Sequence, residues 1–327
     1  MTRACLIGDI GATYARFAIA AGEPKIEFMH VYKTSAYGSL LDAVRYYLNE
    51  PGLKGWPRPT KAALAVAAPL SGDQVTMTNK KWSFSRRALE ADLGMKVDLY
   101  NDFSAVALAV PYLHPDDRLA VGDAVSTSEG AIAVIGPGSG LGVAGLIRTA
   151  NGWIDIPGEG GHATIAAATR EESQVLDLLR LRWDHVSAER VLSGPGLANL
   201  YDALCTVHGV VSPQLTAEQV TAALLKPKGT NDHSYLLCSK AFDFFCGMLG
   251  TMAGNLALTL GTTGGVYIAG GILPHVKDRF AASNFRNRFE QKGRLAPYMK
   301  LIPTYLVLHH APALLGLIHA PLRSREI

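Results

Sequence analysis

An α/β fold divided into two parts is predicted for this chain, on three observations. Up to Val110, short apolar runs first follow one another as a meander and then alternate with helical patterns, which indicates an α/β unit. The stretch from Pro111 to Glu129 is rich in Pro, Asp and Ser and marks a domain boundary. At 327 residues the chain is long enough for two well-filled cores.

The composition narrows the class further. Charged residues are 18% and hydrophobic ones 48%, an ordinary globular balance that excludes a disordered chain. A net charge of +3 without a Lys/Arg run leaves no footprint for nucleic acid. Cys5, Cys205, Cys238 and Cys246 form no C-x-x-C pair and sit among apolar neighbours, so they read as reduced core thiols of a cytoplasmic protein. The first strand begins almost at once, which leaves no room for a signal peptide. Residues 241–260 are long enough to span a membrane, but Asp243, Asn255 and three glycines argue for a buried helix that another backbone approaches closely.

The elements follow in order. Residues 4–7 and 15–20 are strands of a hairpin around Gly8-Asp9-Ile10-Gly11-Ala12-Thr13, and 26–32 is a third strand after the turn Ala21-Gly22-Glu23-Pro24. Leu40, Leu41, Val44, Tyr47 and Leu48 recur at helical spacing until Glu50-Pro51-Gly52. Residues 62–68 are a continuous apolar run, hence a strand buried on both faces, and 75–78 a short strand. A helix over 85–93 stops at Gly94 and leads to strand 97–100, Asn101-Asp102 and the helix 103–110. Beyond the boundary, strands 131–135 and 143–147 flank Gly136-Pro137-Gly138-Ser139-Gly140-Leu141-Gly142, and Asn151-Gly152 signals a hairpin. Thr169 with Glu172 and Thr216 with Gln219 have capping-box spacing at two helix starts. Strand 266–269 ends in Gly270-Gly271, and strand 301–308 precedes a last helix over 312–319.

Several familiar signatures are absent. No Gly-Lys pair exists, so there is no Walker A motif, and no cysteine–histidine cluster has zinc spacing. Gly140-Leu141-Gly142-Val143-Ala144-Gly145 matches G-x-G-x-x-G, but it leads into a β-like run rather than a helix, so the match is accidental. Three Gly-rich turns remain. The first presents backbone N–H groups to a phosphate, with Asp9 reaching it only through a cation; its alternative is a hairpin whose Asp caps its own backbone. Asn101-Asp102 lies where a buried strand gives way to a helix, the place where open α/β sheets hold ligands; its alternative is a plain N-cap. Glu159 and His162 lie in a loop whose two glycines make it too flexible for a packing device, unless they are simply solvated tips. Glu189 competes with a surface charge pair to Arg190. No Lys or Arg stands at the centre of these polar stretches, which suits a neutral polyhydroxylated partner. Together they point to ATP plus a sugar.

The motifs GDIGATYAR (8–16), MTNKKWSFS (77–85), NDFSAVA (101–107), GPGSGLGVA (136–144), PGEGGH (157–162), HVSAERVLSGPGL (185–197) and GGVYIAGGI (264–272) stand in an order that resembles the bacterial glucokinase family of the actin-like ATPase (hexokinase) superfamily. The resemblance runs nearly end to end. It implies a two-domain actin-like (ribonuclease H-like) fold: a small α/β domain of residues 1–110 plus 302–327 and a larger α+β domain of 111–301, with a cleft between. It implies ATP-dependent phosphorylation of glucose at its 6-hydroxyl, with Asp102 as general base. Asn101, Asp102, Glu159, His162 and Glu189 would bind the sugar. Gly8, Asp9, Ile10, Gly11, Ala12, Thr13, Gly136, Gly138, Ser139, Gly140, Gly270 and Gly271 would bind ATP, with Asp9 acting on Mg²⁺ through water. A cytoplasmic homodimer is implied, with neither nucleic acid nor membrane as partner. The alternatives are a kinase of another hexose and a non-catalytic sugar-binding ATPase. Ala12, Tyr14, Ser139, Thr164 and Ala313 depart from the family pattern, and Ala12 is expected to keep an ordinary φ.

Overall fold

The computed structural model describes residues 4–21, 25–78, 82–124, 130–225 and 233–320. Gly22-Glu23-Pro24 of the predicted turn, residues 79–81 of MTNKKWSFS and residues 125–129 of the boundary stretch lie outside them. The chain forms two compact units, one of residues 1–113, 149–157 and 309–327, the other of 114–148 and 158–308.

In the first unit β1 (Cys5–Ile10) and β2 (Tyr14–Ala20) form the opening antiparallel hairpin, and β3 (Ile26–Lys33) pairs with β2. Helix α1 (Leu40–Leu48) starts where Ser39 accepts the Asp42 N–H, and it buries Leu40, Ala43, Val44 and Tyr47. Strand β4 (Lys61–Val66), apolar and buried almost throughout, pairs parallel with β1. A small ribbon of β5 (Gln74–Thr76) and β6 (Ser83–Ser85) follows. Helix α2 (Arg86–Leu93) begins at the Ser85 cap and ends at Gly94, whose φ of 64° is the left-handed stop that glycine adopts without strain. Strand β7 (Lys96–Asn101) pairs parallel with β4 and feeds α3 (Asp102–Ala109). The sheet order is β3-β2-β1-β4-β7. Ile10 is level with Val66, and Val66 with Asn101, so the ends of three parallel strands make one rim.

The second unit repeats the plan of an antiparallel hairpin beside parallel strands. Strand β8 (Arg118–Ala120) precedes the hairpin of β9 (Ile132–Pro137) and β10 (Leu141–Thr149); β11 (Gly152–Gly158) follows, grouped with the first unit as far as Pro157. Then come α4 (Arg170–Arg180), α5 (Gly194–Val207), α6 (Ala217–Leu224), α7 (His233–Leu260) and β12 (Gly265–Ile268). The short helices α8 (Lys277–Ala281), α9 (Phe285–Glu290) and α10 (Ala296–Lys300) lead to β13 (Thr304–Val307). Within this unit the strands run β10-β9-β12-β13-β8, with β12 parallel to both β9 and β13. Strand β8 falls inside the stretch predicted as a boundary. Its three residues are too few to show alternation, and its partner β13 lies far along the chain.

One helix detail differs from expectation. Thr216 and Gln219 form the full capping box, but Glu172 does not bond back to Thr169. Its carboxylate accepts the Ala168 N–H at 2.6 Å and pairs with Arg288, both side chains being buried. Helix α7 is long and apolar enough to cross a membrane, yet most of its apolar stretch is buried inside the protein, where it packs on α5, α6 and α9. A Cβ at Gly250 would strike the Phe285 carbonyl, and one at Gly254 the Phe289 carbonyl, so these glycines do admit a second backbone. Gly250→Ala should gain about 1 kcal/mol of helix propensity but lose about 1–3 kcal/mol to overpacking against an immobile carbonyl. A lower urea midpoint is expected; an unchanged or higher one would show that α9 can retreat.

The last helix, α11 (Pro312–His319), belongs to the first unit and packs on α3. Gly316 lets it do so, since a Cβ there would meet the Ala105 carbonyl.

Candidate active site

In the first unit the rim carries the opening turn and, two strands away, Asn101-Asp102. Strands lie about 4.8 Å apart, so the two are separated by about 10 Å. Asp9 faces Arg16 across the hairpin, with Oδ2 3.0 Å from the guanidinium. The Asp9 side chain is 19% exposed; burial pushes its carboxyl up, and the Arg16 charge and hydrogen bond oppose that shift. Arg16 was not among the sequence candidates. Counting outward from the turn, Ile10 to Ala15 and Asp9 to Arg16, is the signal that finds it.

The other residues of the stretch divide by role. Gly8 sits inside the sheet, where a Cβ would press on Leu64 at 2.8 Å and Phe17 at 2.9 Å, and Ile10 is fully buried. Gly11, Ala12 and Thr13 form the turn, with the Gly11 N–H donating to the Tyr14 carbonyl at 2.9 Å. Ala12 does not have a positive φ, as its methyl demands.

At the far strand Asn101 is the N-cap of α3, its Oδ1 accepting the N–H groups of Phe103 (2.9 Å) and Ser104 (3.2 Å). That leaves the Asn101 amide NH₂ as a donor for a hydroxyl. Asp102 is therefore not the cap. Its Oδ1 also accepts the Phe103 N–H at 2.9 Å, which fixes the carboxylate at the positive end of the helix.

The second unit gathers the remaining candidates. The turn Gly138-Ser139-Gly140 closes with the Gly138 N–H on the Gly140 carbonyl, leaving Ser139 exposed at its tip. Gly270, at φ 98°, lies against the Pro137 carbonyl, so the turns after β9 and β12 meet at one edge. The Gly194 N–H donates to the Gly138 carbonyl at 2.8 Å, which seats the start of α5 there too. Glu159 and His162 are exposed on a 3₁₀ turn, Gly160–His162. The expectation that its glycines serve flexibility is corrected: a Cβ at Gly161 would collide with the Leu141 backbone and one at Gly160 with Val143. Both glycines are packing devices that seat the turn on β10.

Glu189 is half-buried on a second 3₁₀ turn, Ala188–Arg190. Its Oε2 accepts the Leu141 N–H at 2.9 Å, directly beside Gly140, while Arg190 lies over Trp183 instead. Bonds from Ala188 N–H to the Ala163 carbonyl and from Ile165 N–H to the Val186 carbonyl hold the Glu189 and His162 segments side by side. Ser193 ties them to α5, capping Gly196 and donating to the Glu189 carbonyl at 2.7 Å. Thr164, at a departure from the family pattern, contacts His185 Nε2 at 3.0 Å. Thus Glu159, His162, Glu189 and two Gly-rich turns stand together in the second unit, and Asp9, Gly11–Thr13, Asn101 and Asp102 share the rim of the first.

Residues 6–323 match the profile of a family described as Glucokinase. A glucokinase of Nitrobacter hamburgensis is 51% identical over 323 residues, covering 98% of both chains. The chain belongs to the glucokinase family. A further relative from that family, a glucokinase of Aromatoleum aromaticum, is 46% identical over 95% of this chain and 92% of its own. The crystal structure of glucokinase from an Antarctic psychrotroph superposes with a TM-score of 0.84 at 36% identity, covering 97% of this chain and 98% of that one. The glucokinase of Balamuthia mandrillaris in complex with glucose shares the fold at 21% identity, with a TM-score of 0.78 over 97% of this chain and 93% of that one.

Proposed function

We propose that this glucokinase-family enzyme transfers the γ-phosphoryl group of Mg-ATP to the 6-hydroxyl of glucose, with Asp102 as general base, on an actin-like fold. The observation that carries the reading is the rim of the first sheet. Asp9 and the Gly11–Thr13 turn at the end of β1, and Asp102 at the end of β7, lie on one level edge of the sheet, and Asn101 rather than Asp102 caps the helix. The repetition of a hairpin beside parallel strands in both units, each hairpin ending in a Gly-rich turn, supports the actin-like assignment and a phosphate role for both turns.

In this reading the Asn101 amide donates to the sugar, while Glu159, His162 and Glu189 take the neighbouring hydroxyls. Carboxylates accept well from such hydroxyls, and an uncharged partner suffers no repulsion from them. Asp102 orients the 6-hydroxyl and accepts its proton as the bond to phosphorus forms. Backbone N–H groups of the turns at Gly11–Thr13 and Gly138–Gly140 hold phosphate oxygens, and Gly270-Gly271 lets the nucleoside end approach. Mg²⁺, when bound, neutralises charge on the transferring phosphates. The donor set fits such an ion: Asp9 offers one reachable carboxylate, and no group of three or more His, Cys, Asp or Glu could cage a metal among the described residues. A cation that arrives with the nucleotide and keeps its waters needs no cage.

A coupled assay over a panel of hexoses and phosphoryl donors tests the reading. Product from glucose with ATP is expected; product from another hexose alone, or binding without transfer, would overturn it.

A further inference from the structure

Thr34, at the end of β3, is only 1% exposed and makes two bonds to the opening turn. Its Oγ1 donates to the Ala12 carbonyl at 2.5 Å, and its backbone N–H donates to the Thr13 carbonyl at 3.0 Å. No cis peptide bond occurs among the described residues. In a trans peptide the carbonyl and the next N–H point in opposite directions. Fixing these two carbonyls toward Thr34 therefore aims the N–H groups of Thr13 and Tyr14 away from it.

A second observation shows that the turn needs such help. Compact two-residue hairpin turns that match strand twist place one or both central residues at φ > 0. Neither Ala12 nor Thr13 is there. The turn is instead held by the single Gly11–Tyr14 bond and by Thr34.

We infer that Thr34 is a positioning residue for the phosphoryl donor: it clamps the Ala12 and Thr13 carbonyls so that the opposite N–H groups face the phosphates. This rests on the reading of that turn as a phosphate cradle. Thr34 touches neither substrate. It opens a 3₁₀ turn, Thr34–Ala36, closed by the Tyr37 N–H on the Thr34 carbonyl, which anchors the clamp from behind.

The test compares Thr34→Val, which keeps the shape without the donor, with Thr34→Ala and Thr34→Ser. Mg-ADP binding is read by titration calorimetry, and KM is measured for ATP and for glucose. Thr34→Val and Thr34→Ala should weaken Mg-ADP and raise the KM for ATP about tenfold, as loss of one hydrogen bond allows. The glucose KM should hold, and Thr34→Ser should restore the nucleotide values. Equal losses for glucose and nucleotide, or no rescue by serine, would make Thr34 merely structural and overturn the inference. Thr13→Asp separates the two levels, because a carboxylate at the exposed tip should repel the phosphates by on the order of tenfold in affinity. If Thr13→Asp binds Mg-ADP normally, the cradle itself is wrong; if it weakens binding while Thr34→Val does not, the clamp alone is wrong.

Discussion

Asp102→Asn is expected to lower kcat by about 10²–10⁴, the usual range for losing a positioned general base. The substitution keeps size and hydrogen-bonding shape but cannot accept the hydroxyl proton. The fold should survive, since Asn101 and not Asp102 caps α3. Removing the charge from the first turn should cost about 0.3–1 kcal/mol. Steady-state rates with glucose and ATP, read beside a thermal melt, check both parts. A variant that turns over at near-parent rate would remove Asp102 from the mechanism, and one that fails to melt cooperatively would assign it to the scaffold.

Glu172→Ala is expected to destabilise the second unit by about 3–5 kcal/mol, because it strands a buried charge. Arg288 meets Glu172 through two bonds, Nη1 to Oε1 at 2.6 Å and Nη2 to Oε2 at 3.2 Å, with side-chain exposures of 8% and 3%. The same guanidinium reaches Thr251 Oγ1 on α7, so α4, α7 and α9 are joined at one point. Nearby, Lys292 bonds to Asn255 and to the Thr251 carbonyl, and its pKa is lowered by burial and then by the Arg288 charge. Without Glu172, two cations face one another and the Ala168 N–H loses its acceptor. Urea denaturation should show the loss. Replacing both partners with Met should recover most of it, since well-packed apolar residues substitute tolerably for buried pairs. A double variant as unstable as the single one would refute that account.

Local features of the fold were legible wherever one residue type settles the backbone. Ser85 and Gly94 bound α2, and the 40–48 spacing gave α1 because the caps and the apolar stripe agree. The glycines of α7 correctly announced a close neighbour, though not that α9 would be the one. What escaped depended on partners distant in sequence. Thr34 looks like any strand-end threonine until the turn beneath it is built. Glu172 looks like a capping-box acid until Arg288 arrives from 116 residues away. Gly160 and Gly161 read as flexible because their packing partner, the start of β10, is not visible in their own composition. At the rim, Asp9, Asn101 and Asp102 were legible as candidates, but the register that brings their strands level is a property of the sheet.

The packing of α11 on α3 has a consequence in time. Helix α3 ends at Ala109 and α11 begins at Pro312, so a ribosome makes the helix that carries Asp102 long before the one that supports it. At about 5–20 residues per second the interval is on the order of ten to forty seconds. Throughout it, the Ala105 face of α3 has no Gly316 to close over it, and the nascent chain can hold a complete hairpin turn while its base stands on an unfinished support. Catalytic competence should thus appear late in synthesis, after α11 has left the exit tunnel.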